Sequence, residues 1–246
     1  MDMERCLFQV NGLEISAAFP TADRDDIYLP LLRRLTALQR ERGRRIAVFL
    51  AAPPAAGKST LCRYLELLSR REAGLSPVQC VGIDGFHYTN AYLEGHSIVR
   101  DGVSIPLRRI KGAPETYDVA RLGALLETLD QPGQLWPEYD RRIHDPIDGA
   151  IEIRADIVVV EGNWLLLDEA PWSALKCDYS VFIRAGDPAQ LERIVARKMM
   201  GGFSETAARE FVKNNDWPNI LFCMAHSRRA DLNLRPGSNG RMEVIL

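Results

Sequence analysis

Several absences narrow what this sequence can be. No apolar run approaches the roughly 18 residues that cross a bilayer. The opening "MDMERC" is acidic and polar, where a secretory leader would be basic and then apolar. Charge of one sign is missing too: 31 Lys and Arg stand against 33 Asp and Glu, a formal net charge of −2. Such a balance gives no general drive toward nucleic acid or an anionic membrane, so any anion site must be local. Cysteine is scarce: Cys6, Cys62, Cys80, Cys177 and Cys223 are odd in number, widely spaced and form no C-x-x-C pair. That argues against a disulfide frame or a zinc site and suits free thiols in a reducing cytoplasm. There is no repeat, low-complexity tract or long polar linker. The expectation is one cytoplasmic domain over residues 1–246 that acts on a small molecule, without nucleic acid or membrane as partner.

What is present has a clear rhythm. Two apolar runs flank Asn11-Gly12 within 6–19, a strong hairpin signal. Leu31, Leu32, Leu35 and Leu38 recur at helical spacing within 25–42. "RIAVFLAA" (45–52), "VQCVGID" (78–84), "ADIVVVEG" (155–162) and "CDYSVFIR" (177–184) read as buried strands. Helices are predicted over 58–72 and 117–129, from Pro188, and over roughly 204–214 and 218–229, with "ADLNL" and "RMEVIL" as closing strands. Trp136, Pro137 and Tyr139 fall in a polar stretch before the third strand, and 88–112 reads as an irregular, mobile excursion. Buried strands alternating with helices predict an α/β fold, with a mainly parallel central sheet and helices on both faces. The hairpin and helix of 1–43 precede a core over 44–246; a homodimer contact is one use for them, packing on the sheet edge another.

The stretch "AAPPAAGKST" (51–60) ends like the phosphate-binding loop G-x-x-x-x-G-K-[ST], but Ala52 replaces its first glycine. The tripeptide Gly57-Lys58-Ser59 alone is weak; its place between a buried strand and a helix is what the loop requires. There, Pro54 would shape the loop, and backbone N–H groups of Ala55, Ala56, Gly57, Lys58, Ser59 and Thr60 at the helix N-terminus would surround the phosphates of ATP. Lys58 would neutralise charge on them, and Ser59 would ligate magnesium. Alanine can serve at position 52 if its φ is negative, and the close approach to phosphate falls later, at Gly57. The bland reading is a turn with a solvated lysine.

Ligands of parallel sheets bind at the carboxyl ends of the strands. Asp84 ends "VQCVGID" and Glu161 ends "ADIVVVE". A charge straight after a buried strand is costly unless it faces a polar crest. Phosphoryl transfer to a hydroxyl needs one carboxylate to take the proton and another to hold magnesium, roles that suit Asp84 and Glu161. Helix capping or a surface ion pair is the plainer alternative for either.

With those residues in view, the sequence resembles a family. "IDGFHYTN" (83–90) and "KGAPETYDVARL" (111–122) are similar to segments of bacterial type I pantothenate kinases. "YDRRIH" (139–144) resembles the Y-D-x-x-x-H of uridine kinases, and "VVVEGNWLLL" (158–167) the strand end they share. "LERIVARK" (191–198) resembles their lid helix and "SRRADLNL" (227–234) their C-terminal strand. The resemblance covers about Arg45 to the end and points to P-loop NTPase-type kinases of the uridine kinase, phosphoribulokinase and pantothenate kinase superfamily. Within it the chain looks closest to bacterial nucleoside/nucleotide-kinase-like proteins, some labelled fructose transport system kinases.

The resemblance implies a three-layer sandwich, ATP and Mg2+ as cofactors, Asp84 as base, Lys58 as phosphate clamp and a lid near 188–202. Arg197, and less directly Arg193, would stabilise charge on the transferring group, unless they only decorate a solvated face. His87, Tyr88, Lys111, Tyr139, Asp140 and His144 are candidate acceptor-binding residues, each able to bond a polyol or carry an anionic group. Tyr139 could equally be core and His144 a hairpin hydrogen-bonding partner. His144 is followed by Asp145-Pro146 rather than S-R, so pieces of two acceptor pockets occur and a full copy of neither. A small-molecule kinase competes with two readings, a nucleotide-gated switch and a sensor on the same fold without turnover. The switch lacks its N-K-x-D segment, since "VKNND" (212–216) does not fit; the sensor rests only on the altered loop start.

Overall fold

The computed structural model describes residues 1–10, 12–100, 102–185, 188–237 and 240–245. The chain opens with an antiparallel hairpin, β1 (Met3–Val10) and β2 (Leu13–Pro20), closed in register at Val10 and Leu13 with Gly12 at φ 78°. Asn11, half of the sequence signal for this turn, lies outside the described residues. A single turn α1 (Thr21–Asp23) and a π-turn (Arg24–Tyr28) lead into α2 (Leu29–Arg42), which Gly43 ends at φ 64°.

The sheet begins with β3 (Ile46–Ala51), buried at every residue. It continues through α3 (Lys58–Arg71), β4 (Val78–Gly82), a 3-10 turn (Ile83–Phe86), α4 (Asn90–Gly95) and the small hairpin β5 (Ser97–Arg100) and β6 (Val103–Pro106). After α5 (Val119–Glu127) comes a second hairpin, β7 (Leu135–Asp140) and β8 (Asp145–Glu152), then β9 (Ile157–Gly162) and β10 (Tyr179–Ile183). Three helices, α6 (Pro188–Met200), α7 (Glu205–Phe211) and α8 (Trp217–His226), precede β11 (Leu232–Pro236) and β12 (Met242–Ile245). The six-stranded order is β12-β11-β10-β3-β9-β4, parallel except for β12.

Alternation along β3 divides the core. Ile46, Val48 and Leu50 pack with Leu32, Leu35, Leu61 and Leu65 on one face. Ala47, Phe49 and Ala51 pack with Phe86, Leu122, Trp136 and Trp164 on the other. Helices therefore cover both faces, as the buried-strand pattern requires.

Three local expectations change. β4 stops at Gly82, and Asp84 sits in the 3-10 turn beyond it rather than at the strand end. The 88–112 excursion contains α4 and the β5–β6 hairpin, so it is not irregular throughout. The stretch around Trp136 is a strand: β7 tolerates Pro137 because it belongs to a two-stranded ribbon with a register shift between Trp136 and Glu138. The N-terminal hairpin lies on α3, where Phe19 stacks on Tyr64 at 3.8 Å and Glu4 accepts from Tyr64 Oη at 2.7 Å and Arg71 Nη1 at 2.6 Å. Among the described residues no helix is long and apolar enough to cross a membrane.

Candidate active site

The loop from β3 to α3 wraps around its own lysine. Ala52 is fully buried and is not among the residues with positive φ, so the missing first glycine costs no left-handed backbone there. The left-handed positions come later, at Ala55 (φ 57°) and Gly57 (φ 90°). Lys58 is 8% exposed, and its Nζ donates to Ala52 O at 2.9 Å, Pro53 O at 3.1 Å and Asn163 Oδ1 at 2.7 Å. Burial lowers its pKa and the charge of Glu161 opposes that.

Parallel pairing of β3 with β9 sets Leu50 opposite Glu161, bringing this carboxylate to the loop. Ser59 Oγ, in the first turn of α3, donates to Glu161 Oε1 at 2.5 Å. Burial raises the Glu161 pKa, with Lys58 and the Ser59 hydrogen bond pulling the other way. Hydroxyl and carboxylate are hard oxygen donors, and magnesium is commonly held by one or two protein oxygens plus substrate phosphates. The pair therefore fits magnesium. Among the described residues no cluster of three His, Cys, Asp or Glu could hold a metal by itself.

Asp84 reaches the same opening from the other side. Its Oδ2 accepts from Arg141 Nη2 at 3.2 Å, with both side chains about half exposed. Two glycines allow this approach. A Cβ on Gly85 would lie 2.3 Å from Pro137 O, and one on Gly162 would lie 2.4 Å from Ile83 Cδ1. The glycines of "DGF" and "EG" thus let the Asp84 turn lie flat between β7 and β9.

The acceptor candidates fall into three groups. His87 stacks on Tyr117 at 3.8 Å and meets Tyr139 edge-on at 5.6 Å, with Nδ1 3.2 Å from Thr116 O. Burial pushes its pKa down to about 4 against the pull of Asp84, so the ring is neutral. Lys111 lies 5.0 Å over the Tyr139 ring and donates to Asn90 Oδ1 and His144 O at 2.8 and 2.7 Å. Burial lowers the Lys111 pKa and lifts that of Tyr139 to about 12. His144 takes part through its carbonyl; its side chain is exposed and its φ is 54°. Asp140 accepts twice from the Arg142 guanidinium, which holds its pKa down at about 2. Tyr88 instead starts a ring stack with Tyr92 and His96.

The α6 helix rests directly on the loop. Gln190, fully buried, donates to Pro54 O, and Arg193 Nε donates to Ala55 O at 3.3 Å. Ala55 packs with the cluster of Ile194, Val195, Ala208, Val212 and Ile220. The surroundings of Arg197 strip water from it and the like charge of Arg141 adds to that, lowering its pKa; Asp216 and Asp84 oppose.

Ser59, Asp84, Glu161, Tyr139, Asp140 and Arg141 line one cleft of about 490 Å³. Sequence reasoning missed Asn163, Arg141 and Gln190. Asn163 follows the E-G pair directly and Arg141 lies inside "YDRRIH", so proximity to motifs was the available signal. Gln190 had none, since its role is set by how α6 docks.

No model of a known protein family matches the sequence. An Escherichia coli K12 protein named "Uncharacterized protein YggC" is 41% identical over 237 residues, 94% of this chain and 95% of that one. A Schizosaccharomyces pombe protein named "Putative uridine kinase C227.14" is 30% identical over 78% of this chain and 83% of its own length. The pantothenate kinase of Enterococcus faecalis is 30% identical over 70% of this chain and 60% of its own length. Among solved structures, a "putative fructose transport system kinase" from Silicibacter superposes with a TM-score of 0.70 at 31% identity, over 81% of this chain and 98% of that one.

Proposed function

Because this chain belongs to the superfamily of P-loop small-molecule kinases that includes uridine and pantothenate kinases, we propose that it transfers the γ-phosphoryl group of ATP to a hydroxyl of a small metabolite. The observation that carries this reading is the meeting of Ser59, Glu161 and Asp84 in one cleft, with Lys58 held by the loop beside it. A switch has no need of a carboxylate on the acceptor side. Ala52, the only feature favouring a fold-sharing sensor, is accommodated with a negative φ.

In this mechanism the backbone N–H groups of the loop and of the first turn of α3 hold the phosphates, and Lys58 swings from its carbonyl partners to neutralise them. Ser59 and Glu161 would hold magnesium, which when bound would supply neutralisation of phosphate charge. Asp84 accepts the proton of the attacking hydroxyl and orients its oxygen. Arg197 meets the charge that develops on the transferring group. His87, Lys111 and Tyr139 shape the acceptor side, where the neutral His87 offers Nε2 as an acceptor while Nδ1–H donates to Thr116 O. The same proposal takes 1–246 as one cytoplasmic kinase domain with its lid near 188–202. An ADP-release screen against sugars, sugar phosphates, nucleosides and pantothenate, with Lys58→Ala as the blank, tests it. Release that depends on one acceptor supports the reading; ATP binding without acceptor-dependent release opposes it.

A further inference from the structure

The first forty residues carry no motif, yet the turn of their hairpin lines the same cleft as Asp84. Val10 and Gly12 stand on its wall together with Arg63 and Arg142. Arg63 lies four residues after Ser59, one turn further along the same face of α3. The hairpin is fixed to that helix by the Phe19–Tyr64 stack and by Glu4, which accepts from Tyr64 and Arg71. The strands that carry Val10 and Gly12 to the cleft are thus anchored on α3.

Both arginines are held by carboxylates in a way that leaves a cationic face. Arg63 Nη1 donates to Glu66 Oε2 at 2.9 Å, while Glu66 Oε1 is occupied by the Cys80 N–H at 2.7 Å. Arg142 donates to Asp140 from Nε at 3.2 Å and from Nη2 at 2.7 Å. In each pair the acid is the covered partner: side-chain exposure is 9% for Glu66 against 45% for Arg63, and 11% for Asp140 against 89% for Arg142. The Arg141–Asp84 pair shows no such bias, at 44% and 47%. Glu138 also lines the cleft, so it is cationic locally and not as a whole. A guanidinium already oriented by one carboxylate keeps further N–H donors in a fork that suits a phosphate.

We infer that Arg63 and Arg142 form a subsite for a phosphate on the acceptor, bounded by the hairpin turn at Val10 and Gly12, so that the substrate is a metabolite that is already a phosphate monoester. This rests on the kinase reading. The acceptor hydroxyl oxygen bonds to the γ-phosphorus as the bond to the β-phosphate oxygen breaks, ADP leaves and the hydroxyl proton passes to Asp84. The acceptor's own phosphate is bound and stays intact.

The test is calorimetric titration of the protein loaded with magnesium and a non-hydrolysable ATP analogue, which fills the loop. The probes are three matched pairs: glycerol and glycerol 3-phosphate, fructose and fructose 6-phosphate, uridine and uridine 5′-monophosphate. At least one monophosphate is expected to bind about tenfold or more tightly than its neutral parent. Arg63→Ala and Arg142→Ala should each weaken it about tenfold, with analogue affinity within about twofold of wild type. Arg142 is the more exposed of the two, so its variant separates binding from folding. Equal binding of both members of every pair, no monophosphate binding, or unchanged affinity in both variants overturns the subsite. Failure of the analogue to bind counts against the kinase reading alone. The monophosphates are then titrated against nucleotide-free Lys58→Ala protein with and without Arg142→Ala, and the same outcomes decide.

Discussion

Ser59 and Glu161, 102 positions apart in the sequence, meet through a hydrogen bond of 2.5 Å. It joins the first turn of α3 to the end of β9 and sets two oxygens side by side at the cleft. Because burial raises the pKa of Glu161, its folded-state value lies above its unfolded one. The stability it contributes is present at low pH and is lost as pH rises through the folded value. Glu161→Gln is therefore expected to flatten the decline of stability as pH rises above the ordinary carboxylate range, read by urea unfolding. It should also cut magnesium-dependent turnover by about 100-fold or more.

Gly85 and Gly162 differ in what surrounds them. A Cβ at Gly85 meets the backbone of Pro137, which cannot yield without moving β7, whereas one at Gly162 meets the Ile83 side chain at Cδ1, Cγ1 and Cγ2 and no backbone. Gly85→Ala should cost about 3 kcal/mol and Gly162→Ala about 1–2 kcal/mol, by overpacking. Equilibrium urea unfolding of both variants checks the order.

His87 supplies a pH prediction of the opposite sign to Glu161. Its pKa falls to about 4 in the folded protein, chiefly through burial, so between the unfolded value near 6.5 and that point only the unfolded chain takes up the proton. Stability contributed by the neutral ring is whole above pH 6.5 and falls with pH, by about 3 kcal/mol at its limit. His87→Gln removes that slope. Unfolding titrations at pH 7, 6 and 5 on both proteins measure it.

Arg193 and Arg197, on the helix proposed as a lid, are expected to separate. Arg193 reaches the Ala55 carbonyl and helps seat α6 on the loop, while Arg197 stands in the field of Asp84, Arg141 and Asp216. Arg197→Ala should lower kcat by about 100-fold or more. Arg193→Ala should act mainly on the KM for ATP, by about threefold to tenfold. Steady-state kinetics on the two variants decides.

Most of the parallel sheet was legible because its strands are continuous apolar runs, as in β3, β9 and β10. Glu161 stood out because it follows the valines of β9 directly, and Asp84 because it closes "VQCVGI", although it lies in the turn beyond β4. The β7–β8 hairpin was hidden: Pro137 breaks its strand pattern, and its reason to form is tertiary, with Trp136 fully buried against Phe86 and donating to Gly82 O at 2.8 Å. Arg141 escaped notice for the same cause, since only that hairpin brings it to Asp84. The contribution of Val10 and Gly12 to the cleft follows from the docking of β1 and β2 on α3, which no local pattern reports.

In the proposed mechanism Asp84 serves as the base of a phosphoryl transfer to a small-molecule hydroxyl. The most direct measurement is ADP release with the best acceptor from the screen, comparing wild type with Asp84→Asn at equal ATP-analogue affinity. A fall in kcat of about 100- to 10,000-fold, with the fold intact by circular dichroism, is the predicted result. Full acceptor-dependent transfer by Asp84→Asn would contradict it.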